Sequence, residues 1–179
     1  LNCPYCYVGN SKVKEELTTS EWFSVIKQIP WYSFITLVGG EPLIRKDFSD
    51  ILFECTRKTL GKVNVVTNGV LMKESIIDDF IKSKMLLVSV SLDGWGKNHD
   101  KNRAKDGIFE IIQNNLQVLN EKRKKAKSRL MVDIKTIVLK DNLEDILKLY
   151  EYCSKMGFEF FSISFLRNNT LKQNSILYE

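Results

Sequence analysis

The chain has 179 residues, a net charge of +5, 44% hydrophobic and 27% charged residues, the make-up of one globular domain rather than a disordered chain. With only 3 prolines and 9 glycines, long linkers and low-complexity tails are excluded. The apolar runs are too short for a membrane span, and no signal-peptide pattern opens the chain.

Hydrophobic periodicity predicts helices alternating with strands. Thr18-Thr19-Ser20-Glu21 offers N-cap candidates for a first helix, with Trp22, Val25, Ile26 and Ile29 at helical spacing and a stop at Pro30. A short strand from Phe34 to Val38 ends at Gly39-Gly40. A second helix carries Phe48, Ile51, Leu52 and Cys55, and a strand follows at Val63 to Val66. Ile76, Ile77, Phe80 and Ile81 mark a third helix, and Leu86 to Leu92 the next strand. Ile108 to Leu119 is an amphipathic helix, Leu130 to Leu139 a strand, Leu143 to Met156 a helix stopped at Gly157, and Glu159 to Phe165 the last strand. Five strands separated by helices, each parallel to the one before, predict an α/β fold.

Three of these strands alternate instead of being apolar throughout, as buried parallel strands are. In Leu86–Asp93, Ser89, Ser91 and Asp93 share a face; in Val132–Val138 it is Asp133 and Lys135; in Phe160–Phe165 it is Ser162 and Ser164. Helices covering the apolar face would leave the polar one lining a wet lumen, as in an open or partial barrel; the other reading is an edge strand with one solvated face. Under the lumen reading Asp133 and Lys135 are candidate substrate contacts.

Ligands of parallel α/β folds bind at the carboxyl edge of the strands, where the unusual residues of this chain gather. Gly39-Gly40-Glu41-Pro42 follows the first strand, Thr67-Asn68-Gly69 the second, and Ser91-Leu92-Asp93-Gly94 the third, with His99, Asp100 and Arg103 in the loop beyond. Each alone reads as turn chemistry; together they mark a site. His99, the only histidine, reads as a loop-ordering hydrogen-bond partner.

Four cysteines occur. Cys55 and Cys153 fall on helix faces as small buried hydrophobes. Cys3-Pro4-Tyr5-Cys6 allows three readings: a glutaredoxin-like thiol–disulfide motif, half of a zinc site, or part of an iron–sulfur cluster. The stretch Tyr7 to Lys12 does not read as the helix start a redox motif needs. The basic run Lys122 to Arg129 reads as a solvated helix end or as a module for nucleic acid or an acidic leader peptide. It lacks interleaved aromatic residues for base stacking, so nucleic acid is the less favoured partner.

Taken together these motifs resemble the radical S-adenosylmethionine (SAM) enzymes, in particular the branch with a C-terminal SPASM-type extension. Cys3 and Cys6 match the last two positions of that family's C-x3-C-x2-C signature, Gly39-Gly40-Glu41-Pro42 its second motif, and Ser91 to Arg103 its carboxylate-binding region. The resemblance implies a partial (β/α)6 TIM-like barrel whose second to sixth strands lie here, the first strand and one cysteine falling before Leu1. It implies a core domain over 1–167 and the start of a C-terminal region over 168–179. It also implies a [4Fe–4S] cluster held by Cys3 and Cys6 and SAM held by Tyr5, Gly39, Gly40, Glu41, Pro42, Asn68, Ser91 and Arg103. Reductive cleavage of SAM to a 5′-deoxyadenosyl radical would then abstract hydrogen from substrate, a peptide or protein side chain in this branch. A flavodoxin or ferredoxin would donate the electron, and a reducing cytoplasm would be the expected setting.

Overall fold

A computed structural model describes residues 1, 3–6 and 15–166. The expectations for Tyr7 to Lys12, for Arg167 and for the 168–179 region lie outside the described residues.

Helix α1 (Thr19–Gln28) begins at Thr18, which closes a capping box with Glu21: the Glu21 N–H donates to the threonine hydroxyl, and the Thr18 N–H donates to the Glu21 carboxylate at 2.8 Å. The helix stops at Ile29, since the residue before Pro30 is pushed out of helical geometry. Strand β1 (Ile35–Leu37) follows, then a 3₁₀ turn (Pro42–Ile44) with proline at its first position, helix α2 (Phe48–Thr59), β2 (Val63–Thr67), α3 (Glu74–Lys82) and β3 (Leu87–Ser91). Two helices, α4 (Lys97–Asn102) and α5 (Ile108–Lys125), lead to β4 (Met131–Val138), α6 (Leu143–Met156) and β5 (Phe160–Phe165). Most of the expected elements fall within a residue or two of their predicted ends. Helix α4 and the 3₁₀ turn were not expected, and α5 is longer than expected. The stretch Lys-Asn-His-Asp-Lys-Asn of α4 carries no apolar periodicity and reads as loop, and α5 runs to Lys125 through cations that complement its carboxyl end.

All five strands are parallel and lie in the order β1-β2-β3-β4-β5. Each crossover therefore moves to the next strand in the same direction, and its right-handedness puts every connecting helix on one face of the sheet. A doubly wound sheet would reverse direction partway; this one is a barrel segment. On the helix side Val63, Val65, Val88, Val90, Val132 and Ile134 are fully buried. They pack with Leu52, Phe80, Ile112 and Leu116 of the helices, and burial of each such side chain contributes about 1.5–3 kcal/mol. Cys55 and Cys153 belong to the same core, and burial pushes their thiols up to about 11 and about 12.

The opposite face is polar, as the alternation predicted, but its centre is drier than expected. Ser89 and Asp133 are buried and bonded to each other, at 3.0 Å, instead of being wet. Strand β5 lies at the sheet edge, and there the apolar face is exposed as well, at Ile163 and Phe165, whereas the edge reading has only the polar face solvated.

The turn from α2 to β2 puts Leu60 and Gly61 in the left-handed region, at φ of 55° and 83°. A Cβ on Gly61 would lie 2.5 Å from the Lys84 carbonyl oxygen. Gly61→Ala is accordingly expected to destabilise the protein by about 2 kcal/mol, read as a lower urea midpoint at unchanged m-value.

Candidate active site

The loops at the carboxyl edge of the strands form two clusters. The first joins the ends of β1 and β2 through Glu41. Its Oε1 accepts from the Thr67 hydroxyl at 2.7 Å and from the Leu43 N–H at 3.2 Å, while Oε2 accepts from the Asn68 N–H at 2.8 Å. A carboxylate has about four lone-pair sites, so three donors leave Glu41 room for one more. Glu41 thus braces the two loops, a role that sequence alone does not reveal. Asn68 turns its own side chain onto the Val70 N–H at 2.9 Å. Beside them Gly39 and Gly40 are exposed, and a Cβ on either would meet nothing within 4 Å. Their backbone is open to close approach by a ligand. Pro42 starts the 3₁₀ turn, and Ser91 ends β3 half-exposed.

The second cluster is built on Asp93, which is fully buried. Its Oδ2 accepts from the Tyr5 hydroxyl at 2.7 Å and pairs with the Arg103 guanidinium; its Oδ1 accepts from the Ile137 N–H at 2.8 Å. The Asp93 N–H donates to His99 Nδ1 at 3.0 Å, and its carbonyl accepts from the amides of Asn102 and Asn142, at 2.7 and 3.1 Å. One aspartate thus ties the amino-terminal turn, β3, α4, β4 and the start of α6 together. Asn102 and Asn142 were not predicted. Asn142 stands at the N-cap of α6, but its side chain makes no cap bond: its amide donates to the carbonyls of Asp93 and Ile137, and its oxygen accepts from the Leu139 N–H.

Several expectations take a different form here. Tyr5 is buried, with Arg103 6.0 Å from its ring centre. Burial, and then the neighbouring Asp93 charge, push its hydroxyl far above the ordinary tyrosine range. Arg103 is engaged by Asp93 rather than free, although among the described residues its Nε has no hydrogen-bond partner. His99 orders the loop as expected and sits on α4, not on a loop; burial, with Arg103 adding to it, lowers its pKa to about 4. Asp100 is used up by the start of α5, accepting from the N–H groups of Gly107 and Phe109.

Cys3 and Cys6 are free thiols in one turn, closed by the Cys6 N–H on the Cys3 carbonyl at 3.1 Å. Cys6 is exposed; the Cys3 sulfur lies 4.0 Å from the Arg103 guanidinium. Two unpaired thiols brought to the carboxyl edge are suitable ligands for an iron–sulfur cluster. Among the described residues no group of three or more His, Cys, Asp or Glu is arranged to hold a metal ion.

Residues 1–153 match the family model described as the Radical SAM superfamily. The chain belongs to the radical SAM superfamily. It is 33% identical over 93% of its length to the AdoMet-dependent heme synthase of Methanosarcina barkeri, of which it covers 47%. It is 25% identical over 88% of its length to the sporulation killing factor maturation protein SkfB of Bacillus subtilis, of which it covers 37%. The radical SAM chain therefore spans less than half the length of these curated relatives. In fold it is similar to SuiB of Streptococcus suis bound to S-adenosylmethionine, with a TM-score of 0.78 at 18% identity over 93% of this chain and 38% of that one. SuiB has also been solved with its precursor peptide SuiA. The cofactors of this superfamily are a [4Fe–4S] cluster and SAM, and its members among the relatives are enzymes. The all-parallel barrel segment and this membership replace the glutaredoxin-like and nucleic-acid-binding readings. In the basic run, Lys122 pairs with Glu74 and Asp78, and Arg123 is buried on Glu159, so two of its cations hold the fold together. Among the described residues no helix is long and apolar enough to cross a membrane.

Proposed function

We propose that this chain is the core of a radical SAM enzyme that modifies a peptide or protein side chain. The observation that carries the reading is the meeting of the Cys3–Cys6 turn with Arg103 and Asp93 at the same sheet edge as Gly39, Gly40 and Glu41. When bound, the cluster and SAM supply reductive cleavage of the sulfonium and a 5′-deoxyadenosyl radical that takes hydrogen from substrate.

The chain's own residues position these groups. Cys3 and Cys6 are the thiolates for the cluster. Gly39 and Gly40 let a ligand reach the backbone without side-chain interference, and Glu41 keeps one lone-pair site for an ammonium group. Asn68 and Pro42 shape the two loops beside it, and Tyr5 packs under Arg103 to hold the amino-terminal turn in place. Arg103, whose Nε has no hydrogen-bond partner among the described residues, and the Ser91 hydroxyl are donors for the carboxylate. Buried Asp93 fixes where Arg103 stands.

Peptide chemistry is favoured by SkfB, a maturation protein, and by SuiB, which takes a precursor peptide. A tetrapyrrole substrate is the competing reading, favoured by the higher identity to the heme synthase. The electron comes from a flavodoxin or ferredoxin, and the reducing cytoplasm suits an oxygen-sensitive cluster.

The test is anaerobic iron–sulfide reconstitution of the full-length protein, followed by measurement of 5′-deoxyadenosine with SAM and dithionite. Cluster binding and nucleoside release are expected, both lost in Cys3→Ala and Cys6→Ala. A protein that binds no cluster would sink the reading. Stimulation of nucleoside release by an iron tetrapyrrole, and by no member of a peptide library, would overturn the substrate class.

A further inference from the structure

The face of the sheet that no helix covers carries one ion pair. Along that face run Asn64 on β2, Ser89 and Ser91 on β3, Asp133 and Lys135 on β4, and Ser162 on β5, with neighbours fixed by the register Ser89↔Asp133, Ser91↔Lys135 and Lys135↔Ser162. The other positions of this face in the five strands are uncharged.

Asp133 is buried, and both of its oxygens are engaged by protein donors. Oδ1 accepts from the Ser162 hydroxyl at 2.7 Å, and Oδ2 accepts from the Ser89 hydroxyl at 3.0 Å and pairs with Lys135 Nζ at 3.1 Å. Ser89 in turn lies 3.2 Å from the Asn64 amide oxygen. A carboxylate so enclosed is an anchor and not a group that meets substrate. Lys135 differs. Its side chain is 38% exposed, and among the described residues Asp133 is its only charged or hydrogen-bonded partner. An ammonium has three N–H donors, so two remain for a ligand in the lumen. Lys135 also stands one step closer to the carboxyl edge than Asp133, next to Ser91 in the register.

We propose that Lys135 is a substrate-recognition residue, held in place by Asp133, and that the group it binds is a carboxylate of the substrate. The class follows from charge. A monoanionic carboxylate added to the pair leaves a carboxylate–ammonium–carboxylate triad with one net negative charge. A phosphate dianion would meet the same single cation with Asp133 repelling it at close range. A neutral group would offer the two remaining Lys135 N–H donors no anionic acceptor. Asp133 is thus a positioning residue that also selects against higher charge. The inference rests on the reading of this face as the substrate lumen of a radical SAM core.

The test uses the full-length, cluster-loaded protein with lysines labelled at the ε-carbon with ¹³C, Lys135 being assigned by its loss in Lys135→Gln. Propionate, propionamide and methyl phosphate are titrated at constant ionic strength. Propionate is expected to shift the Lys135 resonance saturably, with binding about tenfold weaker or worse in Lys135→Gln, followed by propionate's own line broadening. Propionamide should leave the resonance in place, and methyl phosphate should bind more weakly than propionate. Asp133→Asn should raise the affinity for methyl phosphate relative to propionate by about threefold, a change that a purely structural role would not produce.

Equal shifts with propionate and propionamide, a uniform shift of all lysines, or methyl phosphate binding as tightly as propionate would overturn the proposal. So would an unchanged ratio in Asp133→Asn. Release of 5′-deoxyadenosine from the same preparation separates the two failures: if it persists while Lys135 ignores propionate, the enzyme reading stands and the carboxylate site does not.

Discussion

Asp93→Ala is expected to destabilise the protein by about 3–5 kcal/mol, the cost of leaving one partner of a buried ion pair without the other. Asp93 is fully buried and Arg103 nearly so, with 13% side-chain exposure, so water cannot replace the lost carboxylate. The same change strands the Tyr5 hydroxyl and the Ile137 N–H, both of which donate only to that carboxylate among the bonds described here. Chemical denaturation of the variant should show a midpoint far below that of the parent at an unchanged m-value. Asp93→Asn retains an acceptor of the same shape and should cost less, though the guanidinium stays unpaired. The decisive comparison is the double variant Asp93→Ala with Arg103→Met. Because the arginine is no longer a buried unpaired charge, its total loss should be smaller than the sum of the two single losses by at least about 1 kcal/mol. Additive losses, or a single-variant cost under about 1 kcal/mol, would show that Asp93 is not the hub of this edge. A second readout is local. Hydrogen exchange should speed up at the carboxyl end of α4, next to Arg103, and at the Ile137 N–H of β4, which the Asp93 carboxylate holds, and not in α2.

The sheet was legible in the sequence because its two faces obey different rules. Val88, Val90, Val132 and Ile134 alternate with Ser89, Ser91, Asp133 and Lys135, and a period of two assigns each set to its face without any knowledge of the partner strands. The loops of the site were legible for a related reason. Gly39-Gly40-Glu41-Pro42, Asn68-Gly69 and Asp93-Gly94 break the apolar runs at points that parallel topology brings to one edge. What sequence could not supply was the partner of each polar group. Glu41 and Thr67 are 26 positions apart and Tyr5 and Asp93 are 88 apart, so a ligand role and a bracing role look identical until the chain is folded. Asp133 was read as wet for the same reason: nothing local says that serines from strands on both sides reach its two oxygens. Helix α4 was hidden because it is held by side-chain bonds, such as Asn98 to Asp145, rather than by an apolar stripe.

The sole histidine gives the protein a predictable acid response. His99 accepts the Asp93 N–H on Nδ1 and is fully buried, so in the native state it is neutral, with its proton on Nε2. Protonating Nδ1 would break that bond and place a second buried cation near Arg103. Burial first, and Arg103 second, lower its pKa from the ordinary 6.5 to about 4. In the unfolded chain the imidazole is solvated and takes up its proton near 6.5. Below that pH the unfolded state binds a proton that the native state refuses, so stability is complete above 6.5 and falls as the pH drops towards 4. The slope is about 1.4 kcal/mol per pH unit, and the whole window is worth on the order of 3 kcal/mol. Carboxylates contribute their own losses at the acid end, which leaves pH 6.5 to 5 as the clean interval. Because the sequence has no other histidine, His99→Asn removes the only side chain with an ordinary pKa in that interval. The variant should be less stable than the parent at pH 7, having lost a buried ring, yet nearly flat from 6.5 to 5 where the parent falls by about 2 kcal/mol. The two stability curves should therefore converge on acidification. Parallel curves would mean that His99 is protonated in the native state, and that the bond from the Asp93 backbone is not what holds α4 against the sheet.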